Sequence, residues 1–518
     1  MMDENPFGAV IAGIFWFCIT VFGFVFSKIL TPIWENKVGR FVMLLIAGIG
    51  MFYLVSTWSS KSGINQTNLS PSHERTILRD NDKSLAQLPM VQTPLVKPQS
   101  QSKQERISGG EKVLIINKEA INKRAGAVAY AKGDFTTAVN SLDTSRKINR
   151  NDPETLIYLN NARIGNKISH NIAVAVPIGH NTDIANEILR GTAQAQDEIN
   201  QAGGIKGIPL KAIIINDENN PQVASEVADA VVKKSSVLGV VGHFGSDATL
   251  EAAKVYQKGQ LVVISPTSTS IKLSGFGNYV FRTVANDKLA GESLGQYMTT
   301  QGWQKAAIFF NSDSDYSKSL TEEFTTALQN KQGKIVKKFD LASSTFKAKD
   351  NLEEAMNLGA EVVALFPSSK YRDQALKVAR VTPSRLRLLG GDSLYQKDTL
   401  EQGKDNVLDM VVAVSWHGEA NSQAEFTKNA DRLWGADVNW RSAMAYDATK
   451  ALIAALQQNP TRSGVQKALS ATNFSAQGAS GVVNFLQTGD RNGPIQLVKI
   501  IRDENSRSGT GYDFVPLQ

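Results

Sequence analysis

The chain has 518 residues, of which 42% are hydrophobic and 20% are charged, with 40 Gly and 16 Pro. At roughly 100–200 residues per domain, this length allows about three units, and the composition excludes a disordered or fibrous protein. The net charge of +7 arises in the first part of the chain, because residues 1–168 carry 20 basic and 13 acidic side chains, whereas residues 169–518 carry 36 of each. The balanced C-terminal part argues against a nucleic-acid-binding surface there.

The composition gives little support for disulfide or metal chemistry. Cys18 is the only cysteine, which excludes an intramolecular disulfide framework and a cysteine-based zinc site. The histidines lack the spacing of metal ligands; they are His73, His170, His180, His243 and His417. We therefore expect neither a metal nor a cofactor.

Two apolar stretches near the N-terminus predict membrane-spanning helices. Residues 7–27 are 21 positions without a charge, and residues 41–58 are another 18, each close to the ~20 apolar residues that a spanning helix needs. A cleavable signal peptide is the alternative for the first stretch, but Asp3 and Glu4 precede it in place of a basic flank. Bulky aromatics around Cys18 argue against a lipid anchor. We expect both stretches to anchor the chain, with residues 1–58 as the membrane region.

The loop between the two stretches predicts the orientation. It carries Lys28, Lys37 and Arg40 against one acidic residue, whereas the N-terminal flank carries two acidic residues and no basic one. Basic loops stay in the cytoplasm, so both ends of the chain are expected outside it. The sequence therefore predicts an inner-membrane protein whose large C-terminal part is periplasmic or otherwise extracytoplasmic.

The composition of residues 59–112 predicts a disordered tether. The segment is rich in Ser, Gln, Asn and Pro and has no sustained apolar periodicity, so it cannot bury enough apolar surface to offset the entropy of ordering. A flexible coil of ~54 residues has a root-mean-square reach of roughly 40 Å. Such a tether holds a domain off the membrane without setting its orientation.

Residues 113–168 predict a short helical segment. Apolar residues follow helical spacing on either side of a break at Gly133 and Asp134, and Asp152 and Pro153 open a third helix. The pattern resembles one tetratricopeptide repeat and the start of another, whereas about three such repeats are needed for independent stability. Two interpretations stay open: a hairpin that packs on the main domain or on a second copy of the chain, and a groove that binds a partner protein.

From residue 169 to residue 518, short apolar runs alternate with helical patterns in two successive series. The predicted strands are residues 172–176, 210–215, 237–241 and 261–264, then 306–310, 335–339, 362–366 and 386–389. The predicted helices are residues 184–201, 223–234 and 247–257, then 317–331, 352–358 and 371–381. Alternation of this kind predicts an α/β module with two parallel-sheet lobes. A ligand is expected beyond the carboxyl ends of the strands, in a cleft between the lobes.

Hydroxyl side chains follow two strands of the first lobe. Ser246 precedes the helix at residue 247, whose free amides favour a carboxylate, and Thr267, Ser268 and Thr269 follow the next strand. These groups predict an anion-binding pole. The alternatives are that Ser246 only caps the helix and that the Thr/Ser run only forms a turn.

An acidic residue follows a strand of the second lobe and predicts the opposite pole. Asp392, after Gly390 and Gly391, is placed to meet a ligand ammonium, and the alternative is that it caps the helix near Leu394. Three further residues lie at or just past strand ends and are weaker candidates for the same site: Asp287, Tyr316 and Ser368.

Several short segments in order, from about residue 170 to residue 502, resemble the type I periplasmic solute-binding proteins, and the leucine/isoleucine/valine-binding group in particular. The segments are DEIN at 197–200, GGIKG at 203–207, DENNP at 217–221, GHFGS at 242–246, ISP at 264–266, FRT at 281–283, a helix at 446–456 and GVVNF at 481–485. The resemblance implies a hinged two-lobed fold and capture of a solute for an ABC transporter.

The resemblance also implies roles for single residues. Ser246, the backbone of Thr267 and the Thr269 side chain align with groups that hold the ligand α-carboxylate, and Asp392 aligns with the acidic side chain that meets the α-ammonium. Ser368 stands where the branched-chain binders have a Tyr, and Ile184 where they have a Trp. The backbone site of an amino acid is thus retained while the side-chain pocket differs, so a branched-chain preference is not carried over.

The sequence also bears on two other classes of function. An enzyme would need a nucleotide-binding glycine loop or a Gly-x-Ser-x-Gly elbow, and the sequence contains neither, so catalysis is not expected. A ligand-sensing receptor or interaction scaffold fits the binding module and the helical segment, but the basic loop at 28–40 is too short to be an output domain. We expect a membrane-anchored solute-binding protein that captures an amino acid or related zwitterion. Its expected partners are ABC permease subunits, or other proteins through the helical segment.

Overall fold

The computed structural model describes residues 105–116, 120–422 and 424–517. The predicted spans at residues 7–27 and 41–58 lie outside these residues, as does the predicted tether up to residue 104. Within the described ranges, no helix combines the length and the apolar character needed to cross a bilayer.

The first lobe is built on a six-stranded sheet in the order β1-β3-β2-β4-β5-β6. Five strands are parallel, and β1 pairs antiparallel with β3 at the edge. Their buried apolar runs explain the sheet, because a parallel sheet is covered on both faces. The strands are β1 (Ile107–Ser108), β2 (His170–Val176), β3 (Leu210–Asn216), β4 (Val237–Val241), β5 (Val263–Ser265) and β6 (Val280–Arg282).

The second lobe has a seven-stranded sheet in the order β15-β14-β11-β10-β9-β7-β8. Strands β7 to β11 are parallel, and β14 and β15 add an antiparallel edge. Its strands are β7 (Lys305–Phe310), β8 (Lys334–Asp340), β9 (Val362–Phe366), β10 (Arg387–Gly390), β11 (Val411–Val414), β14 (Gln496–Arg502) and β15 (Tyr512–Pro516). A separate hairpin pairs β12 (Ala476–Gly478) with β13 (Gly481–Val483). The predicted two-lobed α/β fold is confirmed.

Helices cover the sheets, and polar caps explain where many of them begin. Asn181, Asn220, Asn286 and Ser314 each accept an amide hydrogen bond at a helix start. The helices of the binding module are α4 (Thr182–Gln201), α5 (Pro221–Val232), α6 (Ser246–Lys258), α7 (Asp287–Thr300), α8 (Asp315–Asn330), α9 (Ala348–Asn357), α10 (Arg372–Val381), α11 (Lys397–Gly403), α12 (Glu425–Trp434), α13 (Trp440–Gln458) and α14 (Arg462–Leu469).

The chain passes between the lobes three times, after β6, between β11 and α13, and between β13 and β14. Helix α13 returns to the first lobe and packs against α4. Gly191 permits this contact, because a Cβ there would lie 2.1 Å from the carbonyl oxygen of Ser442. The carboxyl ends of the parallel strands of both lobes therefore face one cleft.

The predicted helical segment is three helices, α1 (Ile121–Ala131), α2 (Phe135–Ile148) and α3 (Pro153–Ile164). Helix α3 is buried along almost its whole length and packs on α4 and β3. The Asn161 amide donates to the carbonyl oxygens of Gly109 (2.8 Å) and Ala212 (2.7 Å). Of the two interpretations, the structure agrees with packing on the main domain.

A buried ion cluster holds α1, α3 and the preceding segment together. Lys123 Nζ lies 2.8 Å from Asp152 Oδ2 and 2.5 Å from Glu154 Oε2. Glu154 also accepts from the Leu114 amide (2.6 Å) and the Tyr158 hydroxyl (2.9 Å). Burial raises the pKa of Glu154, and the charge of Lys123 opposes this shift.

The predicted tether extends too far toward the C-terminus. It was placed up to residue 112, whereas Ile107–Ser108 forms strand β1 and pairs with Ile214 and Ile215 of β3. Arg106 forms an ion pair with Glu218 beside this strand. A two-residue strand is too short to show a periodic pattern in the sequence. It is ordered by pairing with the exposed edge of β3.

Candidate functional site

The candidate site is a cleft between the lobes, at the carboxyl ends of the strands. The first lobe contributes the loop after β4 and the start of α6. The second lobe contributes the start of α8 and the turn that follows β10. The lining residues are Asn219, Phe244, Gly245, Ser246, Asp247, Thr267, Ser314, Tyr316, Ser368, Ser369, Asp392, Ser393, Trp440 and Arg441. The lining is mainly polar, with three aromatic side chains.

The first lobe presents the N-terminus of α6 to the cleft. Gly245 occupies the cap position and supplies no side-chain cap, so Ser246 is the first helical residue and is not the cap. The Ser246 hydroxyl accepts a hydrogen bond from the Ser270 amide (3.3 Å) and keeps its own proton for another acceptor. The free amides of the first helical turn and the helix dipole favour an anion here.

The predicted Thr/Ser run divides into residues with different surroundings. Thr267 lines the cleft, but its hydroxyl donates to the carbonyl oxygen of Phe244 (2.9 Å). Ser268 is buried and forms a 2.6 Å hydrogen bond with Thr249. Ser268 therefore agrees with the alternative that the Thr/Ser run only forms a turn. Thr269 lines a small cavity next to the cleft with Asp287 and Asp392, and the amide of the following residue, Ser270, contacts Ser246.

A buried polar triad positions the loop that carries Ser246. His243 Nδ1 lies 2.6 Å from Asp217 Oδ2, and its Nε2 lies 3.1 Å from the Tyr256 hydroxyl. The carbonyl oxygen of His243 accepts from the Ser265 hydroxyl (3.0 Å), which ties the loops after β4 and β5 together. His243 does not line the cleft. Its contacts hold the loop after β4, which carries Ser246.

Asp392 lies at the floor of the cleft in the second lobe. Gly391 occupies the cap position of the turn at Asp392–Leu394, and the Asp392 carboxylate contacts the Tyr316 hydroxyl and the Ser393 amide. Burial raises the pKa of Asp392, and the Tyr316 contact and the charge of Arg441 oppose the shift. Gly391 makes room for this arrangement, because a Cβ there would lie 2.4 Å from the Tyr316 hydroxyl.

Trp440 and Arg441 line the cleft and were not predicted. Arg441 is 1% exposed and donates to the carbonyl oxygens of Tyr395 (2.9 Å) and Asp392 (3.1 Å). Its guanidinium lies 4.3 Å from the Trp440 ring centre. The helix was predicted only from residue 446, whereas Asn439 caps it and α13 starts at Trp440. The asparagine at position 439, a residue type common at helix caps, was the signal that could have located this helix start.

Asp287 occupies a smaller cavity that shares Asp392 with the cleft and lies where the lobes join. Its other lining residues are Thr269, Ala285, Ala290, Leu320, Ala413, Val414, Ser415 and Ile495. Burial raises the pKa of Asp287 to about 7; the charge of Asp392 adds to the shift, and Ser319, Thr269 and Arg282 oppose it.

Ser368 lines the cleft as predicted, whereas Ile184 is a buried core residue that does not line it. The Ser368 amide donates to Asn311 Oδ1 (2.6 Å). The Oγ atom of the next residue, Ser369, lies 3.0 Å from Nε2 of His180 in the first lobe.

The two lobes are in contact across the cleft. Asp247 of α6 accepts from the Asp315 amide (2.9 Å) and the Ser314 hydroxyl (3.2 Å) of the second lobe. Lys272 of the first lobe lies 2.7 Å from Asp315 Oδ1. These contacts join the two lobes beside the cleft.

Two hinged α/β lobes around a cleft with an anion-favouring helix N-terminus and an opposed carboxylate define a solute-binding protein. A family model described as "Periplasmic binding protein" matches residues 172–505, which is more than half of the chain. The chain therefore belongs to the periplasmic binding protein family.

Curated relatives match shorter segments. An "Amino acid binding protein" of Pseudomonas aeruginosa is 32% identical over 164 residues, which is 31% of this chain and 44% of the relative. A "Leucine-, isoleucine-, valine-, threonine-, and alanine-binding protein" of the same organism is 28% identical over 141 residues, which is 27% of this chain and 38% of the relative. The chain thus spans about two fifths of the length of these relatives.

Solved structures share the fold at low identity. An ABC transporter substrate-binding protein of Desulfitobacterium hafniense in complex with Leu has a TM-score of 0.58 at 22% identity, covering 67% of this chain and 100% of that one. A solute-binding protein of Rhodopseudomonas palustris BisB5 in complex with 3,4-dihydroxy benzoic acid has a TM-score of 0.58 at 15% identity, covering 67% and 96%. One fold thus holds chemically different ligands.

Proposed function

We propose that the chain is a membrane-anchored, extracytoplasmic solute-binding protein that captures an amino acid or a related small zwitterion for an ABC-type transporter. The observation that carries the proposal is the opposition of two poles in one cleft. Ser246 and the α6 amides favour a carboxylate on the first lobe, and Asp392 favours an ammonium on the second. Relatives named for amino-acid binding support this ligand class. The proposal assigns no reaction to the chain.

The side-chain part of the cleft supports a ligand other than a branched-chain amino acid. Ser314, Ser368 and Ser369 line it together with Arg441. A polar lining of this kind offers an aliphatic side chain less apolar contact than a pocket lined by aliphatic residues would. A zwitterion with a small or polar side chain suits this lining better than leucine does.

Calorimetry on the full chain in detergent, against amino acids, amides, short peptides and uncharged sugars, tests the ligand class. Native mass spectrometry of small molecules retained during purification identifies the natural ligand. We expect the tightest ligand to carry both a carboxylate and an ammonium. A tightest ligand that lacks a carboxylate would overturn the proposal.

The alternative is a ligand-sensing receptor or scaffold that uses the same module and the helical segment for partners. Uptake of the identified ligand by cells with and without the gene separates the two functions. A transport protein requires loss of uptake in the deletion strain, whereas a sensor leaves uptake unchanged.

Ser246→Ala is expected to weaken zwitterion binding by about 1–2 kcal/mol, or roughly 5- to 30-fold, since one neutral donor is lost while neighbouring amides remain. Calorimetry measures the change. Ser343→Ala, on an exposed turn of the second lobe, is the matched control and should bind like the parent. Equal affinities of Ser246→Ala and the parent would remove Ser246 from the site.

The proposed orientation predicts that a reporter active only outside the cytoplasm, fused after Gln518, is active. Replacing Lys28, Lys37 and Arg40 by glutamine should mix the orientations, because the basic loop no longer holds the cytoplasmic side. Reporter activity normalised to protein amount is the measurement. A wild-type fusion active only in the cytoplasm would contradict both the orientation and the transport role.

A further inference from the structure

Arg441 differs from the other buried arginines that the structure describes. Four of these form an ion pair with a carboxylate: Arg106 with Glu218, Arg282 with Asp490, Arg372 with Asp398 and Arg491 with Asp447. Arg441 is the most buried of the five, at 1% exposure, and pairs with none of the described Asp or Glu side chains; its guanidinium donates to the carbonyl oxygens of Tyr395 and Asp392 instead. It is also the one of these five that lines the cleft. A buried cation without a paired anion is unfavourable, so its place in a ligand site points to an anion supplied by the ligand.

The residue before Arg441 offers a second donor without an acceptor. Trp440 is also 1% exposed and lines the cleft, and neither its indole Nε1 nor Arg441 Nε has a hydrogen-bond partner within the described residues. The two residues open α13, where Asn439 Oδ1 accepts from the Arg441 amide (2.9 Å) and fixes the start of the helix. Indole and guanidinium groups donate hydrogen bonds and do not accept them, and buried polar groups are normally paired. The missing partner is therefore an acceptor.

We propose that Arg441 and Trp440 bind a second acidic group of the ligand, so that the protein selects amino acids with an acidic side chain. The inference rests on the proposed function and deepens it, because it names the class of substrate. The α6 N-terminus then holds the α-carboxylate and Asp392 the ammonium, while the start of α13 holds the side-chain carboxylate. A carboxylate matches this pair of donors better than an amide does, because an amide lacks the charge and brings two further N–H donors.

The charges around Arg441 leave it available for an anion. Burial lowers the pKa of Arg441, and the charges of Asp392 and Glu187 oppose this shift. Both carboxylates have other partners, since Glu187 pairs with Arg190 on α4 and Asp392 contacts the Tyr316 hydroxyl. When the ligand ammonium meets Asp392, it compensates the charge of that carboxylate, and Arg441 is left as a buried cation without a counter-charge. An acidic group on the same ligand supplies that counter-charge, and the contact is stronger in a site shielded from water.

The test is calorimetry on the full chain in detergent with two pairs of probes, L-aspartate against L-asparagine and L-glutamate against L-glutamine. Each amide has nearly the shape of its acid and keeps the same α-carboxylate and ammonium. We expect the tighter acid to bind the wild type at least about tenfold more tightly than its own amide. The ratio of the two affinities isolates the side-chain group, because a general effect on zwitterion binding changes both affinities alike.

Two variants assign the preference to the start of α13. Arg441→Met should weaken binding of the acid by about tenfold or more and change binding of its amide by less than about threefold, so that the ratio approaches one. Trp440→Phe keeps an aromatic ring and removes the Nε1 donor, and should weaken binding of the acid by about fivefold while the amide binds as before. Arg380→Met on an exposed face of α10 and Trp303→Phe outside the cleft are the matched controls, and both should keep the wild-type ratio.

The outcomes separate this inference from the proposed function. If no zwitterion binds to the wild type, both fail. If amino acids bind but neither acid is preferred over its amide, only the selection of acidic side chains is overturned. The same holds if Arg441→Met weakens acid and amide equally, because Arg441 would then only position Asp392 through its carbonyl oxygen. If Arg441→Met does not fold, Trp440→Phe and the wild-type probe pairs decide the question, because neither removes a buried charge.

Discussion

Replacing Asp392 by alanine is expected to weaken binding of the zwitterion by about 2–5 kcal/mol, or roughly 30- to 5,000-fold. The physical reason is that the ligand ammonium would be left buried without its charged partner. Closure of the lobes over the cleft strengthens the effect, because a charge-assisted contact is stronger in a site shielded from water. Calorimetry with the ligand found for the parent chain is the measurement.

Asp392→Asn and Asp350→Ala complete this experiment. The asparagine variant keeps the shape and an acceptor, so its loss should fall between those of the parent and the alanine variant. Asp350 is exposed on α9, and its replacement should leave affinity unchanged. Thermal unfolding without ligand shows whether each variant is folded. A folded Asp392→Ala protein with the affinity of the parent would remove the zwitterion assignment.

Replacing Lys123 by alanine is expected to lower the free energy of unfolding by about 3–5 kcal/mol, since the buried carboxylates of Asp152 and Glu154 lose their cation. Glu154 is fully buried and holds the amides of Leu114 and Ile115. The loss should therefore also loosen the segment before α1. Denaturant unfolding of the full chain, followed by circular dichroism, measures the change.

Lys147→Ala is the matched control for Lys123→Ala. Lys147 pairs with Asp143 one helical turn away at 2.7 Å, but both side chains are exposed. Exposed pairs of this kind contribute about 0.3–0.5 kcal/mol, so this variant should unfold almost like the parent. If the two lysine variants lose equal stability, the cluster around Lys123 does not hold the helical segment on the first lobe.

Local sequence patterns were sufficient for the two-lobed α/β class of the binding module. Each strand predicted in the two α/β series is present within three residues of its expected bounds, because strands buried on both faces leave continuous apolar runs. The positions of Ser246 and Asp392 also followed from the sequence, since parallel strands bring their carboxyl ends to one edge of each sheet. The structure places both side chains on one cleft.

The sequence patterns did not predict strands β1, β6, β11, β14 and β15 or helices α7, α11, α12 and α14, and they missed the start of α13. Strand β1 is ordered by the edge of β3, and β14 and β15 complete a sheet whose other strands lie far away in the sequence. Trp440 and Arg441 precede the part of α13 that the sequence indicated. A buried arginine is recognisable only once its acceptors are known, and Tyr395 and Asp392 lie more than 40 residues before it.

By itself, the sequence determined the class of architecture and the side chains at the strand ends, because both depend on periodicity within short segments. Only the tertiary structure decided which strand-end residues share a cavity. It committed the Ser268 hydroxyl to Thr249 and brought Asp287 beside Asp392 across more than 100 residues of sequence. These outcomes depend on how two sheets face each other, and contacts between distant segments leave no periodic trace in either segment.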